Sequence, residues 1–260
     1  MLSLCCFEIL GVRISAVNLE KAYAVIHSMI REKRPGYICV APVSTIMSCQ
    51  DDPAYKAVVN GAAMVTPDGM PVVWLGRRVG FPDVRRTYGP DLMQLVCEKG
   101  QADGFRHYLL GGSETVNEQL ARKLRQWYPA IQIVGRYAPP FRAVTPAEEE
   151  VMFRAINDSG ADIVWVGLGS PKQDFWMQRC RDKIKPLVLV GVGAAFDFLS
   201  GHKAQAPRWI QRAGLEWLFR FCCEPGRLWR RYLLGNSRFI YLLLTRRPAV
   251  RREKTMGSCL

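Results

Sequence analysis

Apolar positions along the chain gather into six short runs, and the stretches between them carry a helical repeat. The runs are YICVAPV (37–43), AAMVTP (62–67), HYLLGG (107–112), IQIVG (131–135), DIVWVGLG (162–169) and LVLVGVG (187–193). Near-continuous apolar segments of this length, most of them closed by glycine or proline, are what strands covered on both faces look like. Between them lie TVNEQLARKLRQWY (115–128) and TPAEEEVMFRAINDSG (145–160), the second opening on a threonine cap with proline at the first helical position. Strand, glycine, helix, repeated, predicts an α/β fold: a Rossmann-like, mostly parallel sheet with helices on both faces. Ligands of such sheets sit at the carboxyl ends of the strands. Pro67-Asp68-Gly69, Gly111-Gly112, Gly167-Leu168-Gly169 and Gly191-Val192-Gly193 all fall there, so several loops are expected on one rim.

The texture changes after residue 207 to PRWIQRAGLEWLFRFCCEPGRLWRRYLLGNSRFIYLLLTRRP, aromatic and rich in arginine, with Pro225, Gly226 and Gly235 as helix breakers. A boundary near residue 205 follows, dividing an α/β body (1–205) from a C-terminal appendage of short helices (206–260). Charge sharpens the division. Of a net +13, residues 201–260 hold +10, from thirteen Lys and Arg against three Glu. A basic tail on a near-neutral body points to a polyanionic partner, either nucleic acid or the anionic face of a membrane. At 100° per residue Arg220, Arg227, Arg231 and Arg238 would form one stripe, approximate because of the breakers.

With 260 residues and 49% apolar side chains, the chain is long and apolar enough to bury its own core. No uncharged apolar stretch reaches the roughly 18–20 residues needed to span a bilayer. The start, MLSLCCFEILGVRIS, has no basic region ahead of its apolar run and places Glu8 within it, unlike a secretory signal. The nine cysteines include no C-x-x-C spacing and read as reduced thiols of a cytoplasmic protein, soluble or peripherally attached to a membrane.

Pro67-Asp68-Gly69 is a turn signature in its own right, so Asp68 alone would be read as a turn residue. The two G-x-G elements lack the third glycine of a dinucleotide fingerprint and do not open the first βαβ unit. They do bring backbone amides, Gly169 among them, to strand-to-helix junctions, where phosphate is readily held. No two aspartates are separated by a single residue, and His27, His107 and His202 stand far apart, so no metal-ligand spacing exists. Neutralising a diphosphate would then fall to arginine, lysine and amides.

Taken in order, TPDGMPVVW, RRTYGPDLM, YLLGG, PPF, VWVGLGSPKQDFWM, GVGAAFDFLSG and APRWIQRAGLEWLFRFCCEPGRLWRRYL resemble the WecG/TagA/CpsF glycosyltransferase family (glycosyltransferase family twenty-six) from about Leu10 to Leu234. The resemblance implies inverting, metal-independent transfer of a hexose-type sugar from a UDP-sugar to a polyprenyl-pyrophosphate-linked saccharide, at the inner face of a bacterial membrane and without a cofactor. It implies that Asp68 is the general base and that Arg86 meets the leaving diphosphate. Gln173 would contact the nucleotide, with Ser44 and Gly169 beside it on the donor side, and Asp197 there either accepts from the uracil or ribose or serves the start of a helix. Arg220, Arg227, Arg230 and Arg231 would face the acceptor or the membrane. Asp91 is either a helix cap or part of the site, and Lys172 either solvated or a phosphate contact. Pro42 stands where many members carry asparagine, Asp174 where they carry glutamate, and Gln205 where an arginine is common. Two other classes compete: a nucleic-acid module built on the basic tail, and a nucleotide-dependent oxidoreductase.

Overall fold

A computed structural model describes residues 4–142, 144–246 and 248–252, apart from the side chains of Arg212, Arg227, Arg230 and Arg231. In chain order the elements are β1 (Cys6–Ile9), β2 (Val12–Ser15), α1 (Leu19–Arg31), β3 (Gly36–Ala41), α2 (Val43–Asp51), α3 (Pro53–Asn60), β4 (Met64–Pro67), α4 (Met70–Arg78) and α5 (Gly89–Asp103). Then come β5 (Arg106–Gly111), α6 (Glu114–Trp127), β6 (Gln132–Tyr137), α7 (Pro146–Asp158), β7 (Ile163–Gly167), α8 (Lys172–Cys180), β8 (Val188–Gly191) and α9 (Ala195–Ser200). The chain closes with α10 (Arg208–Arg212), α11 (Glu216–Cys223), α12 (Pro225–Trp229), a π-helical turn (Arg230–Leu234), α13 (Gly235–Thr245) and β9 (Val250–Arg252).

All six expected strands form, and they make one parallel sheet in the order β4-β3-β8-β7-β5-β6. Successive side chains of a strand point to opposite faces, and here both faces are buried. In β7, Val164 and Val166 enter one core while Ile163 and Trp165 enter the other. In β8, Leu189 faces the first core, and Val188 and Val190 face the second. Helices α2, α3, α4, α7 and α8 cover the first face, and α1, α5, α6 and α9 the second. This is why the strands read as continuous apolar runs. The capping box expected at Thr145 is present, with Glu148 returning the bond.

A second, antiparallel sheet of order β2-β1-β9 lies outside the expected pattern. β1 and β2 are joined by Leu10 and Gly11, both at positive φ (52° and 77°), the two-residue hairpin turn whose twist matches the strands. β9 pairs with β1, Phe7 opposite Arg252, so the end of the described chain returns to its start. Between these points α13 packs on α2.

Two expectations are corrected. Cys5 is disulfide-bonded, against the reading of all cysteines as reduced thiols; the chain has no C-x-x-C spacing that would have marked it. Cys39, Cys49, Cys97, Cys180, Cys222 and Cys223 are free thiols. The arginine stripe assumed one continuous helix, but the segment breaks at Glu224 and again through the π-turn, which adds a residue per turn and shifts the phase. Arg220 consequently turns inward and Arg238 pairs with Asp51. No described helix is long and apolar enough to cross a membrane.

Candidate active site

The carboxyl ends of β3, β4, β7 and β8 open into a cavity of about 410 Å³. Its floor is made of Pro42, Asp68, Gly169, Ser170, Gly191 and Gly193, and α11 roofs it with Phe219 and Arg220. A volume in the range of roughly 300–1,000 Å³ suits a nucleotide-sized ligand. A smaller cavity of about 120 Å³ adjoins it, and Pro42, Asp68 and Arg220 line both.

Asp68 follows the last residue of β4, and Gly69 begins α4 behind it. The segment bearing Arg86 is stitched alongside. Thr87 N–H donates to the Pro67 carbonyl at 2.8 Å, and the Thr66 hydroxyl donates to the Thr87 carbonyl at 3.2 Å. This places Arg86 Nε 3.1 Å from Asp68 Oδ1, with both side chains about 15% exposed. The guanidinium also meets Glu216 Oε2 at 2.7 Å, donates from Nη1 to Gln211 Oε1 at 3.4 Å, and lies 4.0 Å over the Tyr88 ring. Burial opposes its charge, yet the Asp68 and Glu216 carboxylates outweigh that and raise its pKa. Arg86 is therefore engaged by two carboxylates, and it lines the smaller cavity, not the larger.

Gln173 is 2% exposed and braces the loop after β7. Its Oε1 accepts from Gly169 N–H at 3.2 Å and its Nε2 donates to Ser170 Oγ at 3.1 Å. Gly191 makes room for it, since a Cβ there would stand 2.9 Å from Gln173 Nε2 and 2.7 Å from Met177. Beneath, Asp174 is buried and accepts from the Tyr55 hydroxyl at 2.7 Å; burial pushes its pKa up despite these hydrogen bonds.

Of the expected donor residues, Gln173, Gly169 and Asp197 line the larger cavity, with Asp197 3.6 Å from Lys203 Nζ. Ser44 lines the smaller one. Arg220 lies between the two, its guanidinium 5.3 Å over the Phe198 ring and without an ion pair to any described residue. The side chains of Arg227, Arg230 and Arg231 lie outside the described part of the structure. Asp91 makes no cap; it pairs with Arg208 at 2.9 Å. Lys172 is exposed and lines neither cavity.

Three residues were not singled out from the sequence. Tyr88 is 4% exposed, lines the larger cavity, and leaves its hydroxyl with no hydrogen-bond partner. Burial and the nearby Glu216 and Asp68 carboxylates raise its pKa, so it stays a phenol that can donate. Glu216 was legible only as an isolated acid in a basic stretch, and Gln211 had no local mark. Among the described residues no three His, Cys, Asp or Glu side chains group as a metal site.

A carboxylate at the wall between a nucleotide-sized and a sugar-sized cavity is an arrangement suited to moving a group from one ligand to another. The motifs around it are accounted for by descent: a sequence model of the glycosyl transferase WecG/TagA/CpsF family matches residues 7–253, and the chain belongs to that family.

Proposed function

We propose that this glycosyltransferase is inverting and metal-independent, taking a hexose-type sugar from a UDP-sugar to a polyprenyl-pyrophosphate-linked saccharide in bacterial envelope or exopolysaccharide synthesis. The observation that carries the reading is Asp68 on the wall shared by the two cavities. UDP-sugar would fill the larger one. The acceptor hydroxyl enters from the other side and its oxygen forms the new bond to the anomeric carbon. The bond from that carbon to the UDP oxygen breaks, its electron pair leaves with UDP, and Asp68 takes the hydroxyl proton and later releases it to water. Ionised carboxylate is the form the task requires, and one displacement inverts the configuration.

Charge developing on UDP needs donors already in place. Arg220 suits that role better than Arg86, because Arg86 is held by Asp68 and Glu216 while Arg220 has no carboxylate partner among the described residues. The Tyr88 hydroxyl supplies a further donor, whereas the Gly169 N–H is already given to Gln173 and the Gly193 N–H to the Val166 carbonyl.

Membrane attachment is supported by the tail. Ten of the fourteen exposed large apolar side chains described lie within residues 209–244, interleaved with the chain's densest positive charge. Trp and Tyr beside arginine suit a headgroup interface. The test of function is to incubate the protein with a panel of UDP-sugars and farnesyl-diphosphate-linked monosaccharides and to weigh the products by mass spectrometry. A product heavier by one sugar, with release of UDP, is expected; release of UDP with no sugar added to any acceptor would contradict the reading.

A further inference from the structure

We infer that the smaller cavity is the subsite for the sugar ring of the acceptor. This rests on the reading of Asp68 as the base. The cavity is built from two parts of the chain that meet only in the folded protein: the segments after β3 and β4, Arg86 included, and the C-terminal segment from Gln211 of α10 through α11 to Asn236 of α13.

Its chemistry is that of a carbohydrate site. Trp217 and Tyr232 form an edge-on aromatic pair, ring centroids 6.0 Å apart at 61°, and Met70 adds a further apolar wall. The C–H faces of a sugar ring pack against such surfaces, as amphipathic aromatics present an apolar body and a polar rim. Gln211, Asn236 and Glu216 supply amide and carboxylate groups around the same space, able to bond the hydroxyls at the ring's edge.

Size and charge disfavour the nucleotide and its diphosphate here. At about 120 Å³ the cavity falls below the roughly 300–1,000 Å³ that accommodates larger ligands and is on the scale of one sugar unit. A diphosphate is disfavoured as well. The two carboxylates in the wall already occupy the Arg86 guanidinium, so among the described side chains the arginine left to a phosphate is Arg220, shared with the larger cavity. Position completes the case. A base must come within about 2.6–3.2 Å of the hydroxyl it deprotonates, and a ring in the smaller cavity has Asp68 in its wall, while Trp217 and Gln211 line that cavity and not the larger one.

The test uses binding, so that it does not depend on which group takes the proton. Full-length protein saturated with UDP is titrated with farnesyl-diphosphate-linked N-acetylglucosamine, glucose and galactose by calorimetry, for wild type, Trp217→Ala, Trp217→Phe and Asn236→Ala. Wild type should bind at least one of the three. Trp217→Ala should weaken that binding roughly tenfold or more, and Asn236→Ala severalfold, while Trp217→Phe keeps most of it. UDP affinity, measured in the same proteins, should stay within about twofold, which also reports that each variant is folded. Unchanged acceptor affinity in both alanine variants would overturn the assignment. So would a parallel loss of UDP affinity in folded protein, or wild type that binds none of the three. If Asp68→Asn proves fully active while these affinities shift as stated, the base reading fails and the subsite stands.

Discussion

Replacing Arg86 by alanine separates a structural from a phosphate-binding role for that residue. In the folded protein its guanidinium lies 3.1 Å from Asp68 and 2.7 Å from Glu216, and the three side chains are only 10 to 16% exposed. Removing one partner of a buried ion pair costs about 3–5 kcal/mol, because the charge left behind stays desolvated. Two carboxylates are orphaned here, and the stack on Tyr88 at 4.0 Å is lost too, a further ~0.5–1 kcal/mol. Partial exposure of the carboxylates works the other way, so about 3–5 kcal/mol is expected overall. Adding Glu216→Gln to Arg86→Ala should return at least ~1 kcal/mol, since it removes one of the orphaned charges. Urea denaturation followed by tryptophan fluorescence, without nucleotide, reads both values. Stability of Arg86→Ala within about 0.5 kcal/mol of wild type would refute the reasoning, as would strict additivity of the two substitutions, which marks uncoupled sites.

Turnover should survive EDTA, because Arg220 and Tyr88 are the groups offered to the diphosphate; collapse in chelator with recovery in Mn²⁺ or Mg²⁺ would reverse that view. His107 is 1% exposed, accepts from Trp165 Nε1 at 3.1 Å, and burial lowers its pKa from 6.5 to about 4. The unfolded imidazole is protonated below about pH 6.5 while the folded one stays neutral until about 4, so stability should fall across that window by on the order of 3 kcal/mol. His107→Gln should flatten this part of a denaturation-midpoint profile, and an unchanged slope would assign the acid sensitivity elsewhere. Glutamine at 227, 230 and 231 together should weaken co-sedimentation with anionic vesicles by roughly two decades at about 1 kcal/mol per charge; equal sedimentation would remove these arginines from the membrane contact.

Five of the six sheet strands were legible because they are buried on both faces, which turns a pattern of period two into a continuous apolar run, and the edge strand β6, half-exposed, was legible from its short IQIVG run. The hairpin of β1 and β2 was not, since CFEI and VRIS carry charge and are only four residues each, and β9 is three residues with two arginines. Asp68 stood out through its turn and its motif. The second carboxylate on its partner Arg86 did not, because Glu216 of α11 reaches that guanidinium only through the return of the C-terminal segment across the rim. Arg86 was read as a phosphate ligand from its motif alone; charge on distant elements decided what it faces. The arginine stripe failed for a local reason, a helical wheel carried through a break and a π-turn.

The central claim is that Asp68 takes the acceptor proton, and single-turnover kinetics of Asp68→Asn test it most directly, with donor and acceptor taken from the product screen. The substitution keeps the shape of the side chain beside Arg86 and removes its basicity. UDP affinity should remain close to wild type, because the nucleotide's donors lie elsewhere in the larger cavity. The rate of transfer should fall by about 10² to 10⁴, the usual contribution of a positioned general base. A rate above about a tenth of wild type, with UDP still bound, would mean that Asp68 is only the turn residue its Pro-Asp-Gly setting suggests.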